Sequence, residues 1–291
     1  MSPLTGFVAR VTQRTAGGAA DEAALIDQWR AAAARYRELE QTEAGAADGA
    51  VIEALPASLA SRIGEITADV GAGHAFSRLP VGFGLVELDR LVVCQQHVSL
   101  AHAASFERAL GETTSRDEAV FEICFPRSMQ PPALRALQVA EGKFVFQSEL
   151  ADLRAFHARL LDEEIARSVI TSDGPARGGV TIPVGFGVPH LNVVRFGGRL
   201  VLNNGYHRAY ALRRAGVTRI PCIVQAVAHP EELAFAGSSS LIEDFDALFN
   251  SARPPMLKDF FDPRLTTQLD LLPSRKQVQI TVTVETLRAP D

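Results

Sequence analysis

The stretch Arg199–Val224, RLVLNNGYHRAYALRRAGVTRIPCIV, constrains the fold more than any other part of this chain. It opens at strand-like apolar density, turns at Asn203-Asn204-Gly205, and continues as a helix over Tyr206–Ala215. Gly216 stands where a helix stops in a left-handed residue. Arg219–Val227 is β-branched again, with Pro221 marking a strand start or a sheet edge. Just upstream, LNVVRF and RLVLNN flank Gly197-Gly198 and spell a hairpin. Strand, hairpin, helix and strand in so short a span call for a sheet with a helix laid on it.

The remainder fits around that unit. Leu25, Trp29, Ala32, Tyr36 and Leu39 recur at helical spacing after Asp21, which is placed to cap them. A second helix is expected over Ser58–Val70, and residues 1–18 read as a flexible lead. VELDRLVVCQQ (Val86–Gln96) reads as one strand, Ser99–Leu110 as a helix, and AVFEICFP (Ala119–Pro126) as a strand. PPALRALQVAEG opens with prolines suited to a helix start. KFVFQ is a short strand, Leu150–Arg167 a helix with Leu153, Phe156, Leu160, Leu161 and Ile165 on one side, and Ser172–Gly179 a polar loop. A strand follows near Val180–Val188. Short helices near Pro230–Ala236 and Leu241–Phe249 precede a last strand, in which Val278, Ile280, Val282 and Val284 alternate with polar residues. PVGFG occurs at Pro80–Gly84 and again at Pro183–Gly187, but the flanks do not align, which favours two similar turns over a duplication. The expected class is α+β, divided as an N-terminal helical part (1–75), a core (76–229) and a C-terminal helix-and-strand extension (230–291).

Composition narrows the function. Hydrophobic residues are 47% and charged residues 22% of 291, an ordinary globular balance. No apolar run approaches the roughly 20 residues that span a bilayer, so no membrane segment is expected. A net charge of −5 disfavours a dedicated nucleic-acid binder. Cys94, Cys124 and Cys222 are odd in number and widely spaced, so they suggest reduced thiols rather than disulfides or a zinc site. With no secretory h-region, the expected compartment is the cytoplasm.

Chemistry concentrates at the turn. A glycine before a helix lets the backbone approach a ligand, and the first N–H groups with the helix dipole favour an anion. His207 and Arg208 lie in the first helical turn, where an imidazole and a forked guanidinium join those donors. The plain alternative is that Asn204 caps the helix, Arg208 pairs with an acid, and His207 is solvated.

Asn204-Gly205-Tyr206-His207-Arg208, with Ala211, Gly216 and Ile220-Pro221, resembles the signature of the ParB/sulfiredoxin superfamily, the ParB-like nuclease domain family. The likeness is tight over about Val193–Val227 and loose back to Val86–Gln96. It implies a mixed-sheet core in which Asn204, Gly205, Tyr206, His207 and Arg208 hold nucleotide phosphates. It implies a nucleoside triphosphate such as ATP or CTP, with Mg²⁺, or another phosphorylated small molecule, and an NTPase or phosphotransferase as the enzyme class. Departures matter. Tyr206 stands where sulfiredoxin-like members place cysteine, and Asn204 where kinase- and nuclease-like members place aspartate. No helix-turn-helix follows Gln225. A non-catalytic adaptor that kept the fold, with a protein partner or a second copy of itself, is therefore the rival expectation.

Other candidates are secondary. His97, at the end of the first core strand, is the best general base, because imidazole titrates near neutrality. Arg127, after the expected strand 119–126, offers a second phosphate contact. Glu87 and Asp89 are the nearest carboxylates for Mg²⁺, and Cys94, His97 and His102 have the spacing of half a zinc site without a second half. No metal ligand set is assigned. His190 and Asn192, near the hairpin, complete the inventory.

Overall fold

The hairpin at Gly197-Gly198 is where the computed structural model and the sequence agree most closely: Asn192–Phe196 and Arg199–Asn204 pair antiparallel across those two glycines, both at positive φ. The structure describes residues 7–8, 11, 22–111, 115–127, 133–149, 153–156, 158–168, 170–171, 174–237, 240–270 and 276–285. Most of the lead over 1–18, the Asp21 cap and part of the loop 172–179 lie outside them.

In chain order the principal strands are β1 (Ile52–Glu53), β2 (Val81–Glu87), β3 (Val92–Val93), β4 (Arg135–Ala140), β5 (Lys143–Ser148), β6 (Leu153–Ala155), β7 (Val184–Phe186), β8 (Asn192–Phe196), β9 (Arg199–Asn204), β10 (Arg219–Ala226) and β11 (Lys276–Thr281), with two further pairs of two-residue strands, Arg159–Leu160 with Val180–Thr181 and Ile170–Thr171 with Gly174–Pro175. The principal helices are α1 (Glu22–Thr42), α2 (Ala60–Ala68), α3 (Leu100–Gly111), α4 (Arg116–Cys124) and α5 (Tyr206–Arg214). The protein is α+β. Among the described residues no helix is long and apolar enough to cross a membrane.

The chain forms two compact units: residues 1–129 with 188–272, and residues 130–187 with 273–291. The first contains a mixed six-stranded sheet in the order β1-β2-β10-β8-β9-β3. β10 runs antiparallel to β2 and parallel to β8, and β9 runs parallel to β3. Alternation along the strands splits the core into two layers. Val193, Leu202 and Ile223 face Phe121, Phe125 and Leu212, whereas Val194 and Val201 face Leu233, Leu241 and Leu248. Pro221 sits on β10 beside β2, before the pairing with β8 begins at Ile223, so its missing N–H interrupts no ladder on the β8 side. α1 is tied to the far end of the chain: buried Arg253 bonds Glu43 and Asp259, Tyr36 donates to the Arg253 carbonyl, and Arg35 pairs with Asp262 at 2.7 Å.

The second unit holds a three-stranded sheet, β11-β5-β4, and the pair β6–β7. The two PVGFG copies open different structures, β2 inside the large sheet and β7 in this small pair.

Five expectations are corrected. Residues 119–126 do not form a strand but most of α4, because Ser115 accepts from the Glu118 N–H at 3.4 Å, and Asp117 and Glu118 favour the helix N-terminus. Val86–Gln96 is two strands, since a 3₁₀ turn at Leu88–Arg90 drives Leu88 into the core. Arg135–Ala140, expected to be helical, pairs with β5 across a turn that Gly142 closes at φ 64°, and this pairing overrides the Ala/Leu/Gln propensity. Among the described residues of Leu150–Arg167 the helix begins at Glu163 and runs to Ser168; Leu153 is buried in β6, while Leu160 is 84% exposed, so the periodic stripe has no common surface to pack on. The last strand ends at Thr281, which leaves Val282 and Val284 exposed instead of in its buried face.

Candidate functional site

The turn between β9 and α5 is built around Gly205. At φ 99° it is left-handed, and an added Cβ would lie 2.8 Å from Leu191 Cγ and 3.0 Å from Arg208 Nη2. Only glycine fits. Gly205 is also the N-cap of α5, so no side chain caps that end. The far end closes with Val217 N–H on the Leu212 carbonyl and Gly216 N–H on the Arg213 carbonyl, both at 2.9 Å.

Asn204 and Arg208 act as a clamp. Asn204 Nδ2 donates to the carbonyls of Val188 (3.0 Å) and His190 (3.2 Å). Arg208, buried at 7% exposure, donates Nη1 to the carbonyls of Ile123 (3.3 Å), Cys124 (3.4 Å) and Pro189. Two of these are end-of-helix carbonyls of α4, which have no partner within their own helix. Thus the guanidinium joins α5 to α4 and to the segment 188–190. It contributes positive charge to the turn, but Nη1 is engaged with the protein itself. Gly205, not Asn204, is the helix cap, and Nη1 of Arg208 bonds carbonyls.

His207 lies where two helix N-termini meet. Its Nε2 accepts the Ser99 N–H at 3.0 Å, and Ser99 Oγ in turn accepts the His102 N–H at 3.3 Å in the first turn of α3. The His102 ring stands edge-on to His207 at 4.9 Å, and the Tyr206 ring lies 4.3 Å from it. Burial first, then His102, His97 and Arg208, push the His207 pKa down to about 3. His102 is lowered by burial and by Arg208. Among the described residues no carboxylate is among the groups acting on either ring. His97 is exposed and reaches this cluster through its charge.

His190 was the residue hardest to read from sequence. It is buried beside Phe125, its Nδ1 has no hydrogen-bond partner, and burial and Arg208 lower its pKa against a smaller opposing pull from Asp69. Its apolar flanks, Val188-Pro189 and Leu191, were the available signal. Ser99 was likewise missed.

The other candidates are placed apart from the turn's own contacts. Arg127 is exposed and pairs with Glu122 at 3.3 Å, a carboxylate that Arg62 also holds. Glu87 ends β2 and Asp89 lies in the 3₁₀ turn; Asp89 accepts from both Nε and Nη2 of Arg213, at 2.6 and 3.1 Å. Among the described residues no group of three or more His, Cys, Asp or Glu is arranged to hold a metal ion. Burial raises the Cys94 thiol, pushes Cys124 up to about 12 and raises Cys222 well above the usual thiol range, so all three are poor nucleophiles.

No protein-family model, curated protein or solved structure matches this chain.

Proposed function

We propose that the protein binds a phosphorylated ligand, of the nucleotide class, at the turn formed by Asn204–Arg208 where α5 meets α3. The observation that carries this reading is the charge balance at His207. His102, His97 and Arg208 all disfavour a proton on its ring, two helix N-termini converge there, and among the described residues none of the groups acting on that ring is a carboxylate. Such a place favours an anion, because a phosphate brings the missing negative charge and accepts from helix N–H groups. In this reading His102 and His207 meet the phosphate oxygens. Arg208 supplies charge from below while its hydrogen bonds hold the turn, making it a positioning residue. Tyr206 offers a ring for the nucleoside, and His97 stands at the rim as the candidate base. Any Mg²⁺ would arrive with the nucleotide, since Asp89 is engaged with Arg213.

Thermal unfolding with ATP, CTP, GTP and ADP, each with and without Mg²⁺, tests the proposal. A ligand at 100 times its Kd adds about 2.7 kcal/mol of apparent stability, a shift of a few degrees. His102→Asp is the informative variant: it places a carboxylate in the first turn of α3, where the helix tolerates it, and opposes a phosphate. A shift in the wild type that disappears in His102→Asp is expected. No shift with any nucleotide, in a protein that melts cooperatively, refutes it.

A further inference from the structure

We infer that a second copy of this chain pairs with the outer edge of β4, antiparallel about a twofold axis through Gln138, to form a homodimer. Among the described residues β4 is the end strand of the order β11-β5-β4. All six of its residues are exposed, and Leu137 and Val139 are 37% and 53% exposed with Leu134 beside them. An edge strand that stays solitary is normally short, bulged, or guarded by charge or proline. β4 has no lysine or proline, its guards are Arg135 at one end and a single bulge, and alternate residues along its six positions present backbone N–H and C=O groups outward. Its bulge displaces Val139 from the β5 ladder, where Gln138 pairs with Phe144 and Ala140 with Lys143, and leaves that side chain outward.

Charge selects the occupant and the register. Between Arg135 and Glu141 the chain reads Ala-Leu-Gln-Val-Ala, without a charge. Antiparallel pairing about Gln138 puts Arg135 opposite Glu141 of the partner subunit and Leu137 opposite Val139 of the partner subunit, each contact occurring twice. Centring on Leu137 instead would place Arg135 against an apolar valine, and a parallel in-register pair would set arginine against arginine. A strand whose two ends carry opposite charges complements a reversed copy of itself, the condition for a twofold contact. The product is a continuous six-stranded sheet in place of two of three strands, the size at which sheets are commonly stable.

Sedimentation of the full chain should find a dimer. Gln138→Cys tests the register, because only residue 138 faces itself: cross-strand partners lie about 4.5–5.5 Å apart at Cα, within disulfide reach. Mild oxidation should cross-link Gln138→Cys into a covalent dimer. Leu137→Cys, whose copies are diagonal neighbours about 7–8 Å apart, should stay uncross-linked, as should the wild type. Arg135→Glu and Glu141→Arg should each weaken dimerisation roughly tenfold, and the double exchange should restore it. Circular dichroism confirms that these surface variants remain folded. A wild type that stays monomeric at about 100 µM, or a dimer that Gln138→Cys fails to cross-link, overturns the inference.

Discussion

The two units of this protein use similar amino acids to opposite ends. In the unit built on the large sheet, apolar residues of β8, β9 and β10 are buried on both faces, and the large apolar side chains left exposed among the described residues are Val51, Val81, Phe235 and Ile242. In the unit of residues 130–187 and 273–291, Val145, Leu153 and Ala166 are the buried apolar residues among those described, while Leu137, Val139, Leu160, Val180 and Val284 lie open. The first unit draws its order from packing around a core. The second draws it from strand pairing and two-residue turns, with too little burial to stabilise much by itself. One unit can carry a precisely shaped turn; the other is suited to meeting something else.

If that contrast is sound, the largest effect of a small change belongs to the first unit. Gly205→Ala forces a side chain into a left-handed residue and against Leu191, and it presses on Arg208. The left-handed backbone costs about 1–2 kcal/mol and overpacking about 1–3, so a loss of about 3 kcal/mol is expected. Chemical denaturation measures it. A loss below about 1 kcal/mol would mean that the turn can relax and is not shaped by its neighbours.

The same contrast explains what was legible in advance. Around Gly205 every local signal agrees with the long-range packing: glycine before the helix, glycine after it, β-branched strands on both sides. The position of the clamp was visible there too, because the chain names Asn204 and Arg208 in sequence. What they hold was not, since the carbonyls of Ile123, Cys124 and Pro189 come from remote positions. Ser99 escaped, and His190 was named without a role, for the same reason: a hydrogen bond across more than a hundred residues, and a buried orphan nitrogen, leave no periodic trace. In the second unit local signals conflict with the outcome. Leu153, Phe156, Leu160 and Ile165 have helical spacing, but without a surface to cover, that spacing stabilises nothing. Arg135–Ala140 is composed of good helix formers and becomes a strand because β5 lies beside it across Gly142. α4 was misread despite a serine cap and a glutamate at the right interval.

A second, smaller effect sharpens the electrostatic side of the first unit. An unfolded histidine titrates near 6.5, whereas His207 is held at about 3. Between those values the unfolded chain binds more protons, so stability is fully present above about pH 6.5 and declines as pH falls toward 3. His102 and His190, shifted in the same direction, add to the slope. The melting temperature should therefore fall steadily from pH 7 to pH 5, and His207→Gln should flatten the fall. Bound phosphate should flatten it as well, by favouring the protonated ring. A melting temperature independent of pH over that interval would show that the imidazoles are more hydrated than their surroundings suggest.

The smallest expected effect probes the second unit. Leu160 is 84% exposed in a two-residue strand paired with Val180–Thr181, so Leu160→Ser removes almost no buried surface. The stability change should stay within about 0.5 kcal/mol, as for surface positions in general. Leu153→Ala, in the neighbouring strand, empties a fully buried site and should cost about 2 kcal/mol. Hydrogen exchange separates the two cases, because Leu153→Ala should speed exchange within 130–187 and 273–291 and leave the large sheet unchanged. The pair matters more than either variant. Both leucines belong to the stripe that reads as a helix face. If Leu160→Ser were as damaging as Leu153→Ala, the stripe would be buried as a unit, and the contrast between a packed region and a paired one would fail. Unequal losses place the difference where the structure puts it: in which of two equally apolar residues has neighbours.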